Sequence, residues 1–101
     1  MEDKLLIKGS QRSFLKSLAN PLKSLLQIGK DGVSDDFVSH LEQTLEQKEL
    51  VKVSILKNCK LDATEVANEL AQRTGAEFVQ AIGSKFVLYR RSIENPQIKL
   101  P

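Results

Sequence analysis

Residues 25–34 read LLQIGKDGVS and predict a short strand, a basic turn and a helix start in direct succession. The apolar residues indicate the strand, and Ser34 followed by two aspartates is typical of a helix N-terminus. Between them lies the GxxG sequence Gly29-Lys30-Asp31-Gly32. Glycines permit positive φ and leave no side chain between the backbone and a phosphate, so this turn is a candidate anion site. The same pattern also occurs in ordinary tight turns.

The size and composition of the chain indicate a single domain. It has 101 residues, one cysteine and a net charge of only +2. We expect one domain over residues 1–101, no intrachain disulfide, and an irregular tail over residues 92–101. No apolar run is long enough to cross a membrane and no signal peptide is evident, so the sequence predicts a cytoplasmic protein with no membrane partner.

The charges are unevenly distributed along the chain. Residues 1–33 carry six Lys or Arg against three acids, whereas residues 34–50 carry Lys48 against five acids, and residues 77–101 are basic again. This pattern indicates a molecule with one cationic side, although ordinary solvated charge remains the alternative.

Hydrophobic periodicity predicts three helices and four strands. We expect helices over about residues 10–19, 35–48 and 62–74, with strands over 25–28, 49–55, 78–82 and 86–90. Asp62 with Glu65 predicts a helix start, and Gly75 a helix end. On the second helix, Glu42, Glu46 and Glu49 are expected on the outer side. The order α-β-α-β-α-β-β predicts an α/β fold, a two-layer sandwich with a four-stranded mixed sheet.

Five blocks of this sequence, in order, resemble the CRM domain (chloroplast RNA splicing and ribosome maturation), in particular the stand-alone bacterial YhbY-like proteins. The blocks are LKSLA at 15–19, IGKDGV at 28–33, ELVKV at 49–53, VQAIG at 79–83 and LYR at 88–90. The resemblance covers about residues 11–101. The chain departs from the family at Asn20, where members usually have histidine, so no role of that histidine is transferred to it.

The resemblance implies a function as well as a fold. The implied fold is similar to the C-terminal domain of bacterial translation initiation factor three. The implied function is RNA binding, with association of stand-alone bacterial members with precursors of the large ribosomal subunit. It therefore implies a ribosome-associated assembly factor that contacts rRNA, with RNA contact expected at Gly29, Lys30, Asp31 and Gly32. Asp31 itself repels a polyanion, so we expect its side chain to make a local hydrogen bond within the turn.

Basic residues outside the turn could extend this RNA contact or be merely solvated. The candidates are Lys8, Arg12, Lys16, Lys23, Lys52, Arg90 and Arg91. For Arg90 and Arg91, which follow a strand, protection of a sheet edge is the other interpretation. Phe86 and Tyr89 are expected in the core, which leaves no aromatic platform for base-specific recognition.

The sequence gives little support for catalysis. His40 is the only histidine and Cys59 the only cysteine, so neither has the partners that a catalytic triad or a metal site needs. We therefore expect no enzyme activity, no metal, no cofactor and no small-molecule substrate. The alternative function from another class is a protein-interaction adaptor, in which the acidic second helix docks a basic partner such as a ribosomal protein.

Overall fold

The computed structural model describes residues 9–57 and 59–101. Its elements are α1 Gly9–Ala19, β1 Leu26–Ile28, α2 Asp35–Lys48, β2 Leu50–Ile55, α3 Ala63–Thr74, β3 Glu77–Ile82 and β4 Lys85–Tyr89. The predicted α/β fold and its element order are confirmed, and the bounds differ from the predicted ones by at most one residue.

The four strands form one mixed sheet in the order β1-β2-β4-β3. β1 pairs parallel with β2, and β4 lies between β2 and β3, antiparallel to both. The four-stranded mixed sheet predicted from the order of the elements is therefore confirmed. Because β1 and β2 are parallel, both strands end at the same end of the sheet.

Helices cover both faces of the sheet. On one face α2 and α3 enclose the larger core, which includes Leu41, Leu45, Val53, Leu70, Phe86 and Leu88. On the other face α1 and the C-terminal tail cover a smaller core, which includes Leu15, Ala19, Leu50, Val79, Val87 and Tyr89. The predicted sandwich thus has a further layer, because β2 and β4 carry apolar side chains on both faces and the second face must also be covered. The core positions expected for Phe86 and Tyr89 are confirmed.

Local signals place the helix ends as predicted. The Ser34 hydroxyl accepts a hydrogen bond from the Phe37 N–H at 3.0 Å, and the Asp62 carboxylate accepts one from the Glu65 N–H at 3.0 Å. Each cap satisfies a backbone donor that has no partner within the first helical turn. Gly75 ends α3 in the left-handed conformation that the αL cap requires.

A β-bulge in β3 explains why the last two strands show no clean alternation. The register between β3 and β4 shifts between Phe78 and Gln80. As a result Phe78 and Ala81 pack against the larger core, while Val79 is buried in the smaller one. The extra residue of a bulge breaks the two-residue period on which strand assignment from sequence relies.

The acidic end of α2 is not an outer surface. Glu49 is 1% exposed, and its backbone adopts φ 65° at the end of the helix. Its carboxylate accepts hydrogen bonds from the backbone N–H groups of Ser92 at 2.8 Å, Gln97 at 2.9 Å and Ile98 at 2.7 Å. The outward position predicted for Glu49 is therefore wrong, because the tail folds back and donates to this carboxylate.

Glu46 holds the same tail one helical turn earlier. Its half-buried carboxylate accepts from the backbone N–H groups of Ile93 and Glu94 and from the Ser92 hydroxyl at 2.7 Å. The Ile93 N–H and then the Ser92 hydroxyl lower the pKa of Glu46 from 4.5 to about 2. Burial by itself would raise the pKa of Glu49, but the three backbone donors outweigh it and the pKa is lowered.

These carboxylates predict a loss of stability in acid. A carboxylate whose pKa is lowered by folding stabilises the protein fully above its unfolded pKa of about 4.5, and this stabilisation is lost as the pH falls towards 2. We expect the urea midpoint, measured by circular dichroism, to fall across that window. Glu46→Gln should lower the midpoint at neutral pH and flatten the fall.

The matched control for this experiment is Glu94→Gln. The side chain of Glu94 is exposed and only its backbone N–H bonds Glu46, so this variant should follow the wild-type profile. An acid profile of Glu46→Gln as steep as that of the wild type would contradict the role of the Glu46 carboxylate.

Candidate nucleic-acid interface

The GxxG sequence forms a closed four-residue turn between β1 and α2. The Gly32 N–H donates to the Gly29 carbonyl at 2.9 Å, which leaves Lys30 and Asp31 exposed at the tip. Gly32 has φ +72°, a conformation that side chains oppose. The predicted succession of strand, turn and capped helix is confirmed, and it presents one ammonium group beside a backbone that carries no side chain at either glycine.

Two further loops flank this turn. The Leu56 N–H donates to the Ile28 carbonyl at 2.9 Å and brings the loop after β2 beside the turn. The Ile55 N–H donates to the Ser84 carbonyl at 2.7 Å and brings the β3–β4 hairpin to the same place. We call this region, residues 29–32, 56–57, 59–61 and 83–85, the turn end of the sheet.

The turn end collects exposed lysines that the sequence analysis missed. Lys57, Lys60 and Lys85 are exposed there, together with Lys30. Lys57 and Lys60 come close to Lys30 because β1 and β2 are parallel, so that residues after Ile28 and after Ile55 must be neighbours. Lys85 joins them because it pairs with Ser54 at the end of β2. A helical crossover between two strands favours parallel pairing, so the signal for Lys57 and Lys60 was available in the sequence.

Lys23 and Lys52 lie together beside a groove on the α1 face of the sheet. This groove, which we call the leucine groove, has a volume of about 390 Å³. It is lined by Leu18, Leu22, Lys23, Leu25, Lys48, Leu50, Lys52 and Ile98. The structure thus brings two predicted site residues to one place and adds Lys48, which the sequence analysis assigned only to an acidic helix.

The two candidates on α1 are placed differently. The Arg12 Nε donates to the Phe78 carbonyl of β3 at 3.4 Å, and the side chain is half-buried. Because β3 and β1 are at opposite edges of the sheet, Arg12 lies away from the GxxG turn. Lys16 is exposed on α1. Lys8 lies outside the described residues.

Arg90 and Arg91 lie at the end of the sheet opposite to the turn. They follow Tyr89, which pairs with Leu50 at the start of β2. Arg90 is half-buried and donates to the carbonyls of Thr74 at 3.2 Å and Glu42 at 3.4 Å, with an ion pair to Glu46 at 3.5 Å. The structure therefore supports a packing role for Arg90, while Arg91 is exposed.

The isolated histidine and cysteine have no catalytic surroundings in the described part of the chain. His40 is exposed on α2, and Cys59 packs against the larger core. Within residues 9–57 and 59–101, no group of three or more His, Cys, Asp or Glu side chains is placed to hold a metal ion. In the same residues, no helix combines the length and the apolar character needed to cross a membrane.

The chain belongs to the CRS1/YhbY (CRM) domain family, whose sequence model matches residues 7–90. It is 43% identical over 95% of its length to the whole of "Probable RNA-binding protein YqeI" of Bacillus subtilis (strain 168). It is 34% identical over 90% of its length to an RNA-binding protein of Haemophilus influenzae, covering 91% of that protein.

A solved structure shares the fold. The solution structure of a hypothetical protein from Staphylococcus aureus, described as a candidate RNA-binding protein, superposes with a TM-score of 0.79. It is 42% identical to this chain, and the match covers 96% of this chain and 100% of that one. The names of these relatives support the assignment of the family's domain as a binding domain.

The two glycines of the turn should respond differently to alanine. Gly32→Ala should lower the free energy of unfolding by about 1–2 kcal/mol, because φ +72° is strained for any residue with a side chain. At Gly29 φ is not positive, and an added Cβ would make ordinary contact with Leu56 at 3.7 Å, so Gly29→Ala should be nearly neutral. Urea unfolding of both variants measures the difference, and equal losses would contradict it.

Proposed function

We propose that this protein binds RNA through the turn end of its sheet and the lysines beside the leucine groove. The observation that carries the proposal is the GxxG turn itself, with Lys30 at its tip and glycines on both sides. A phosphate can approach such a backbone closely, and the ammonium group supplies a charge-assisted hydrogen bond. The exposed lysines at positions 57, 60 and 85 extend the cationic surface around it.

RNA is favoured as the ligand by the family and by the charge pattern. The relatives in Bacillus subtilis and Haemophilus influenzae are named RNA-binding proteins. Phe86 and Tyr89 are buried, so they offer no exposed platform for stacked bases. Contacts with the phosphate backbone should therefore supply most of the affinity, as they do for many nucleic-acid-binding proteins.

We further propose a role in the assembly of the large ribosomal subunit. The CRM resemblance implies this role for stand-alone bacterial members, and the match to the Bacillus subtilis relative covers 95% of this chain and 100% of that protein. In this proposal the protein is a cytoplasmic, ribosome-associated binding factor without enzyme activity. Its partners are large-subunit rRNA within precursor particles and the ribosomal proteins around it.

The adaptor alternative is less well supported. It needs free carboxylates on α2, whereas those of Glu46 and Glu49 already accept hydrogen bonds from the tail. A basic partner would have to compete with these bonds. Of the other acids on α2, Glu42 is half-buried. The exposed pair, Asp35 and Asp36, lies in the first turn, where both favour the helix N-terminus, and Asp35 pairs with Arg73 at 3.4 Å.

Loss of lysines at the turn end should weaken RNA binding and its dependence on salt. Each lost phosphate contact should reduce the slope of log K against log salt by about 0.7 for a single strand. Lys30→Gln combined with Lys57→Gln should therefore reduce the slope by about 1.4 in fluorescence-anisotropy titrations. Arg73→Gln on α3 is the control, since its exposed ion pairs contribute little stability and it lies outside this surface. An unchanged slope in the lysine variant would place the interface elsewhere.

The assembly role predicts where the protein migrates in the cell extract. In a sucrose gradient it should comigrate with large-subunit precursors more than with mature ribosomes, and the lysine variant should shift towards free protein. Migration as free protein at low salt, with assembly stalled, would contradict the assembly role while leaving RNA binding intact.

A further inference from the structure

We propose that the leucine groove holds one unstacked base of a single-stranded RNA whose backbone crosses the turn end. This inference rests on the proposed function and names its ligand class more narrowly. The walls of the groove are apolar, so contacts with phosphates give this surface no role in RNA binding.

The groove leaves leucine side chains open to solvent. Leu18, Leu22 and Leu25 are 37%, 40% and 51% exposed, although they lie side by side. The connection between α1 and β1 forms no helix or strand of its own, and its Leu25 N–H donates to the Lys52 carbonyl of β2. Leu50 lies at the base and Ile98 of the tail closes one side. A cluster of exposed apolar residues of this kind is a typical binding surface.

Three lysines surround this apolar surface. Lys23 and Lys48 are exposed, and the ammonium of Lys52 lies 3.5 Å from the Asn20 carbonyl. A ligand that contacts both the apolar walls and the three lysines must have an apolar part with negative charge around it. A nucleotide within a chain has this form, because its base is flanked by a phosphate on each side.

The size of the groove favours one base over larger occupants. About 390 Å³ is near the lower end of the range for small-molecule sites, enough for one ring system. An amphipathic helix would need anchor residues spread over about two helical turns. An A-form duplex keeps its bases stacked inside the helix and could not present one here.

The groove and the GxxG turn lie on one continuous path. Lys52 and Ile55 are three residues apart on β2, which is about 10 Å along a strand. Between them, Ser54 and its β1 partner Gln27 present polar side chains on the face shared with Lys52. A single strand can therefore contact the turn with its backbone and reach the groove with a base.

Three probes of equal phosphate number test the inference by fluorescence anisotropy. They are a single-stranded oligoribonucleotide, the same chain without bases, and a duplex. The wild type should bind the single strand most tightly. Leu22→Gln combined with Leu25→Gln should weaken binding of the single strand about tenfold, to the level of the baseless chain, with an unchanged salt slope. Ile93→Gln, at a still more exposed apolar residue outside the groove, should bind like the wild type.

A second measurement needs no variant. Thiouridine in the single strand should cross-link, on irradiation of the wild-type protein, to peptides that contain residues 18–25. This keeps the inference testable if circular dichroism shows that the double variant does not fold.

Two results would overturn the inference while leaving RNA binding intact. The first is equal affinity of the wild type for the single strand and the baseless chain. The second is an acidic amphipathic peptide that binds the wild type but not the double variant, while RNA binding is unaffected, which would make the groove a protein-docking site. Failure of all three probes to bind would instead reject the proposed function, and the inference with it.

Discussion

The parallel pairing of β1 with β2 is the constraint on which the candidate interface depends. Parallel strands cannot be joined by a tight turn, so α2 has to cross over between them and both strands end at the same end of the sheet. The GxxG turn is thereby placed beside the loop that follows β2. Because β4 is antiparallel to β2, with Lys85 opposite Ser54, the β3–β4 hairpin lies at the same end. Three loops that are far apart in sequence thus form one cationic surface.

The carboxylates at the end of α2 link the helix to the second face of the sheet. A carboxylate as deeply buried as that of Glu49 would be strongly destabilising without hydrogen-bond donors, and the backbone N–H groups of the tail supply three of them. The tail held in this way places Ile98 against the smaller core and in the wall of the leucine groove. An acidic stretch that could be read as a docking surface therefore shapes a different surface on the molecule.

The turn end and the leucine groove differ in what they can recognise. In the proposed complex, the ammonium groups and the open backbone of the turn end contact phosphates, which every RNA sequence offers, and so supply affinity and orientation. In the same proposal, the apolar groove accepts a base that has left its stack, which a duplex does not present. The two surfaces are about 10 Å apart on the same strand, close enough for one ligand to contact both.

The amino-acid sequence by itself determined the features that depend on neighbouring residues. The caps at Ser34 and Asp62, the GxxG turn, the order of the elements and the mixed sheet could all be predicted, because each rests on side-chain periodicity or on contacts a few residues apart. The candidate site could be predicted at the turn, where backbone conformation and charge are local properties.

Only the tertiary structure decided the rest. Glu49 is turned inward by donors 43 to 49 residues away, and Arg90 is held by Thr74, Glu42 and Glu46. The bulge at Val79 and the groove beside Lys52 also arise from pairing and packing between distant segments. A charged side chain is buried where backbone donors or acceptors satisfy it, and exposed where they do not. Those backbone groups come from distant segments, so only the fold brings them together.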